Sequence, residues 1–433
     1  MRARSQVISG WGNYPVLQSQ VYRPESLARL QDVVRRATHI LPFGSRLSYG
    51  DAPLASVTID MRMFDKILAF DKTNGIVTVE AGVTFGDLLD FLVLQGWFIP
   101  VVPGTKHLTV GGAVASNVHG KNHHRVGSFG NFVRSLDIVT ANGTLVSCSL
   151  RKNKDLFTAT VGGMGLTCVI CAVTLRLKKI SSVYMDVMTE KCSDLVTVFR
   201  ALEKLDATHE YTVCWIDGYS RRGRGVVIAG NHLEGNNGLF VRKKSQFCVP
   251  FTVSSVVTHP VSVNLFTFLY YTFSRTGRRV GHYDPFFFPL DRLRDWNRLY
   301  GKHGFTQYQC VFPVAEAEGG VTDVLAVLRD HGMGSYLTVL KRFGPDDGLV
   351  SFPMEGYTLA VDFPVNEKTD AVVYCLDAIV LRRKGRVYLA KDAFSQKEVF
   401  VHGYPRFREW KKIKKKWDPK NKFVSLQAQR LIS

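Results

Sequence analysis

The sequence predicts an α+β protein built as two lobes, and three observations predict it. The chain of 433 residues, 45% of them hydrophobic, is too long for one ordinary core and apolar enough to build two. Short β-type runs separated by turns fill residues 57–177, whereas after about residue 183 the segments lengthen and helical and strand patterns intermingle. No stretch repeats another, which argues against a repeat architecture.

In the first lobe, strands are expected at 57–61, at 76–80 after Asn74-Gly75, and at 136–140, joined through Ala141-Asn142-Gly143 to another at 144–149. Asn-Gly supplies the positive φ angles that a tight hairpin needs. Thr84, with Asp87 three residues on, opens a helix carrying Leu88, Leu89, Phe91 and Leu92, and Gly96 stops it. Residues 166–177 read as a buried strand. In the second lobe, strands are expected at 308–313, 335–341 and 357–363. The basic end, 402–433, carries Trp410, Ile413 and Trp417 at helical spacing. That spacing predicts an amphipathic helix packed on its Trp face, with a membrane or phosphate contact as the alternative.

With 56 Lys+Arg against 37 Asp+Glu, the formal charge is +19, which draws phosphates, nucleic acid or anionic lipid. No base-reading module is recognisable, so no nucleic acid is expected; a basic nucleic-acid-binding protein stands as the non-enzymatic alternative. The first residues are basic but lack the apolar core and cleavage site of a secretory signal, so folding in the cytoplasm is expected. Eight scattered cysteines read as free thiols, Cys168 and Cys171 included, because their C-x-x-C lies inside the expected buried strand. Residues 245–274 hold no charge, yet Pro250, His259, Pro260 and Asn264 interrupt them. A spanning helix needs about 20 uninterrupted apolar residues. A loop is expected instead, lying on an anionic bilayer between the basic flanks Arg242-Lys243-Lys244 and 275–279, or covering a site.

Neither a G-x-G-x-x-G after a strand nor a P-loop occurs, so phosphates must be held otherwise. Two segments suit that work: Pro42-Phe43-Gly44-Ser45-Arg46-Leu47-Ser48-Tyr49-Gly50-Asp51, and residues 103–112 running on through 116–124. Their small residues let backbone approach a ligand, and successive N–H groups form concavities suited to a pyrophosphate. His119, His123 and His124 invite a metal reading, but carboxylates are missing nearby and Gly120 and Asn122 disfavour a regular helix, so no metal is expected.

In order and spacing, the strings FGSRLSYGD, PVVPGTKHLTVGGAVASNVHGKNHH, GSFGNFVRSLD, ATVGGMGLT, WNRLYGKHGFTQYQCVFP, LKRFGP, VDFPV and VYLAKDA resemble a known family. The two loops look like the FAD-binding domain of the vanillyl-alcohol-oxidase and para-cresol-methylhydroxylase (PCMH) superfamily. The full set resembles, more narrowly, the decaprenylphosphoryl-β-D-ribose 2′-oxidases, most weakly over 220–281. The resemblance implies a two-lobe flavoprotein: a PCMH-type FAD-binding domain over 1–182, completed by 386–433, and a sheet-plus-helices substrate domain over 183–385. FAD would be lined by Pro42, Phe43, Gly44, Ser45, Arg46, Leu47, Ser48, Tyr49, Gly50, Asp51, Ala52, Gly104, Thr109, Val110, Gly111, Gly112, Ser116, Asn117, Val118, His119, Ile170 and Tyr388. Many superfamily members attach FAD through a histidine in the first loop; Ser48-Tyr49 stands there in this chain, which implies non-covalent FAD.

The implied reaction oxidises the C2 hydroxyl of a polyprenylphosphoryl-β-D-ribose, with a separate NADH-dependent ketoreductase completing epimerisation to the arabinose form for cell-wall glycan. The enzyme would work peripherally at the inner membrane. Lys391 would act beside the flavin as base or charge stabiliser, and Tyr49 and His119 would hydrogen-bond near the ring and the sugar. Gln309 and Lys341 would come from the second lobe to bind sugar or phosphate, although Lys341-Arg342 also reads as a solvated strand end. Trp215 reads equally as a pocket wall or a core residue. Mycobacterial members carry a cysteine and an asparagine before Val-Asp-Phe-Pro where this chain has Thr358-Leu359-Ala360, which puts sugar preference and inhibitor sensitivity in doubt. A soluble aldonolactone or alditol oxidase is the enzymatic alternative.

Overall fold

The computed structural model describes residues 2–235, 238–241, 247–252 and 259–432. Period-two alternation builds its sheets. In Ile76–Glu80, Val77 and Val79 are buried while Ile76, Thr78 and Glu80 are half-exposed. This strand pairs antiparallel with Ile67–Asp71 and Val169–Arg176, and Val133–Val139 and Leu145–Ser149 complete a five-stranded sheet. A four-stranded sheet beside it runs in the order Arg4–Ser9, Val16–Tyr22, Val57–Asp60, Leu41–Phe43. The expected hairpin closes with Gly143 at φ 83° and Thr140 N–H donating to Thr144 O at 3.0 Å. Thr84 caps the helix Phe85–Leu92 by accepting from Asp87 N–H at 3.1 Å, and Gly96 ends the turn that follows at φ 81°.

The second lobe is an eight-stranded antiparallel sheet. Its order is Gly277–His282, Tyr184–Cys192, Gly225–His232, Tyr211–Ile216, Thr338–Phe343, Gly356–Pro364, Phe305–Pro313, Arg386–Val387. Tyr308, Cys310, Phe312, Leu340, Leu359, Val361 and Phe363 point to one face and pack under the helices Leu195–Asp206, Ala317–Asp330 and Thr369–Arg382. Alternation sends their neighbours Gln307, Gln309, Val339, Lys341, Thr358, Ala360 and Asp362 to the other face. That division, apolar under helices and polar opposite, positions the site.

The basic C-terminal segment turns back to the first lobe. Helix Phe407–Trp417 buries Trp410, whose Nε1–H donates to Ala159 O at 2.9 Å. Lys414 is buried as well, donating to Leu166 O, Phe423 O and the Asp418 carboxylate at 2.7–2.9 Å. Packing on the Trp face therefore accounts for this helix. Cys168 and Cys171 are buried free thiols, as are most of the others.

The uncharged stretch differs from expectation. Where a loop was expected, Pro260–Phe273 is a 14-residue helix. Two of the four residues read as interruptions begin it, and Asn264 lies within it: His259 is the N-cap, its Nδ1 accepting from Val261 N–H at 3.3 Å, and Pro260 takes the first helical position, where a missing N–H costs nothing. The flank 242–244 and residues 253–258 lie outside the described residues. No described helix is long and apolar enough to cross a membrane.

Asp418→Ala would leave the Lys414 ammonium buried without its countercharge, and should lower stability by about 3–5 kcal/mol in denaturant titration.

Candidate active site

A cavity of about 880 Å³ opens between the two glycine-rich loops and the polar face of the second sheet. The first loop leaves strand Leu41–Phe43 and crosses Arg46 at φ 51°, in the left-handed region. Among the described residues, no protein acceptor takes the backbone N–H of Ser45, Arg46, Leu47 or Ser48. Arg46 Nη1 is likewise buried without a partner in the cavity wall. Five donors on cavity-lining residues with no acceptor among the described residues suit an anion-binding nest. The second loop packs against it where Gly44 has no room for a side chain: a Cβ there would stand 2.0 Å from Thr109 Oγ1.

At the other end, Tyr49 N–H donates to Ala390 O at 3.0 Å, which sets Lys391 beside the first loop. Lys391 Nζ lies 3.6 Å from the Tyr49 ring centroid. Burial pushes this amine down to about 7, with Asp362 opposing the fall and Lys341 adding to it. Burial raises the Tyr49 hydroxyl well above its usual range, so it stays protonated. Lys341 Nζ stands 3.3 Å from His119 Nδ1, and the Gln309 amide 3.1 Å from His119 Nε2. Burial, reinforced by Lys341, keeps the imidazole neutral. The Gln309 Nε2 that meets His119 also donates to Thr358 Oγ1 at 3.2 Å, and Thr358 in turn donates to Cys310 O, which fixes the amide in place. Lys341 itself is pushed down to about 8 by burial.

Most residues named from the sequence meet here. Pro42 to Tyr49, Ala52, Gly104, Thr109, Gly111, Gly112, Ser116, Val118, His119, Ile170, Trp215, Gln309, Lys341, Tyr388 and Lys391 all line the cavity. Trp215 lines the wall, and its Nε1–H donates to Tyr336 O at 3.0 Å. Four residues lie behind the lining. Gly50 packs on the backbone of Asp392, and Asp51 pairs with Arg430 at 3.0 Å. Val110 sits in the core, and Asn117 joins Gly130 N–H to Ser351 Oγ. The other two histidines turn away: His123 contacts Ser128 Oγ and Gly344 N–H, and His124 faces Asp206.

Sequence reasoning missed Lys121, which lines the cavity with its ammonium 4.3 Å from the Phe286 ring centroid, and Gln307, which lines it beside Gln309. Burial, with Lys341 nearby, pushes Lys121 down to about 7. For Gln307 a signal existed, the alternate spacing with Gln309 on one strand; Lys121 follows a glycine in a loop, where no periodicity applies.

Residues 19–149 match the FAD binding domain family. Nearly end to end, the chain is 34% identical to the decaprenylphosphoryl-β-D-ribose oxidase of Mycolicibacterium smegmatis, over 98% of this chain and 97% of that protein. The chain belongs to that oxidase family. It is therefore an FAD-dependent oxidoreductase, and the nest at 45–48, with Arg46 Nη1 left without a hydrogen bond among the described residues, fits the cofactor's pyrophosphate. An uncharacterised Streptomyces coelicolor protein from the mprA 5′ region is 29% identical over 81% of this chain and all of its own length. A putative D-arabinono-1,4-lactone oxidase of Neurospora crassa matches at 29% over only 38% of this chain and 30% of that protein.

Gly44→Ala should force the two loops apart at Thr109 and yield a folded protein depleted of flavin, read from the ratio of flavin to protein absorbance.

Proposed function

We propose that this oxidoreductase converts the C2 hydroxyl of a polyprenylphosphoryl-β-D-ribose to the 2-keto sugar, holding FAD non-covalently. The observation that carries the reading is a single cavity running from Lys391, His119 and Gln309 to Phe266 and Tyr270 of the apolar helix Pro260–Phe273. A polar sugar-sized end and an apolar mouth match a lipid-phosphate-linked sugar better than a free one. Between them Lys121 and Lys341 offer cations to a phosphodiester, with Arg279 at the rim.

Bound FAD supplies the hydride acceptor for the hydrogen on C2. Lys391 accepts the hydroxyl proton in its neutral form, which burial makes available near pH 7. Protonated Tyr49 and the His119–Gln309 pair orient the sugar oxygens, and Lys341, kept cationic, favours the developing alkoxide. Ser48-Tyr49 leaves no histidine in the first loop to bond the flavin covalently.

The outer face of the helix exposes Val261, Leu265, Phe268, Leu269 and Phe273, and Arg221, Arg222, Arg275 and Arg279 are exposed on the described surface. Apolar side chains together with exposed cations suit an anionic bilayer, so the enzyme works peripherally at the inner membrane from the cytoplasm. Its keto product requires a carbonyl reductase, a separate NADH-dependent partner, for net epimerisation to the arabinose form.

Anaerobic mixing tests the substrate. Polyprenylphosphoryl ribose should bleach the flavin, faster as pH rises through about 7, while free ribose and aldonolactones leave it oxidised. Bleaching by the free sugars alone would overturn the reading in favour of a soluble sugar oxidase.

A further inference from the structure

Asp362 is a fully buried carboxylate for which the reaction so far has no use. It lies on strand Gly356–Pro364 directly across from Gln307, whose side-chain amide donates to Asp362 Oδ1. Its backbone N–H is satisfied by Ser335 Oγ at 3.1 Å, but Oδ2 has no hydrogen-bond partner among the described residues. A buried carboxylate oxygen without a donor is costly, and the fold does not require one here: an asparagine could accept the same bond from Gln307. The alternation of the strand puts Asp362 on the cavity side with Ala360, while Val361 and Phe363 pack beneath the helices.

Gln307, which contacts Asp362, lines the same cavity as Tyr49 and Lys391, and the groups within electrostatic reach of Asp362 are the hydroxyls of Tyr49 and Tyr300 and the Lys391 amine. Those facing Lys391 are Tyr49 from the first loop, Lys341 from strand Thr338–Phe343, His119 from the second loop and Asp362. Asp362 is the one carboxylate in this set. The adjacent Asp392 is already paired with Arg430 at 2.9 Å. Among the described residues neither Asp362 nor Lys391 makes an ion pair within 4 Å, so the carboxylate acts through space rather than by clamping the amine.

We propose that Asp362 is a positioning residue for the proton acceptor, its carboxylate supplying the countercharge that Lys391 needs once it has taken the substrate proton. This rests on the reading of Lys391 as acceptor. As the substrate O–H bond breaks, an N–H bond forms on Lys391, and without Asp362 the charged group facing the new ammonium would be another cation, Lys341. Asp362 keeps its own protonation through the step and holds the amine basic enough to accept the proton. Burial pushes the carboxyl up to about 7, opposed by the Gln307 hydrogen bond and by Lys391.

The test reads Lys391 directly. Pulsed labelling of the holoenzyme with acetic anhydride across pH, quantified on the Lys391 peptide by mass spectrometry, gives the midpoint of the amine without substrate. It therefore stays informative even if the sugar assigned above is wrong. Asp362→Asn removes the charge that raises Lys391, so the midpoint should fall and the deprotonated fraction below it should rise roughly tenfold. The acid limb of flavin reduction should move to lower pH, with a lower plateau. Asp362→Glu should keep a midpoint near that of the parent, and Gln307→Leu, which weakens ionisation of Asp362, should shift it in the same direction as Asp362→Asn. An unmoved Lys391 midpoint in both Asp362→Asn and Gln307→Leu would overturn the proposal and leave Asp362 a structural residue.

Discussion

The contact between residues 48–51 and 389–392 is the joint on which the site depends. Tyr49 N–H donates to Ala390 O, Gly50 lies where a Cβ would fall 1.9 Å from Asp392 O, and Arg430 bridges Asp51 and Asp392. Gln427 adds a hydrogen bond to Leu389 O at 2.7 Å. Through these bonds a cofactor loop near the start of the chain and a lysine near its end are held in one geometry. Burial pushes Asp51 up to about 6, and Arg430 opposes that rise. Charge buried away from the chemistry thus fixes the backbone that carries the chemistry.

Desolvation is the second constraint. Among the described residues Lys121, Lys341 and Lys391 line one cavity without a direct ion pair, and all three are pushed below the usual lysine range. Buried cations near one another are unfavourable in a resting protein and useful to one that receives anions. A phosphodiester and a developing alkoxide are both anionic, and the lysines sit where each would arrive in the proposed reaction. His119 stays neutral in the same field, available as a hydrogen-bonding group rather than a further charge.

Much of this was legible in the sequence because it is local. Asn-Gly turns, the Thr84 cap, Gly96 and the alternation of Tyr308, Cys310 and Phe312 each act within a few residues. The loop at 42–52 was legible as a phosphate cradle because its small residues have few other uses, and its assignment to FAD came from the family resemblance. Val110 and Asn117 fall within the same motif yet serve packing and loop pinning, a division that only side-chain direction reveals. Helix Pro260–Phe273 was read as a loop because a proline and a histidine look like breaks until one end is known to be an N-terminus. Asp362 and Lys121 were invisible because their meaning lies in residues far away along the chain, Lys391 and Phe286, brought near by sheet register and lobe packing.

The central claim is that Lys391 takes the proton while bound FAD takes the hydride, and single-turnover reduction of a Lys391→Met holoenzyme tests it most directly. If Lys391 is the acceptor, the variant should retain FAD and bind polyprenylphosphoryl ribose, while flavin reduction slows by about 10²- to 10⁴-fold. Reduction within a few-fold of the parent rate, with the same pH profile, would contradict it.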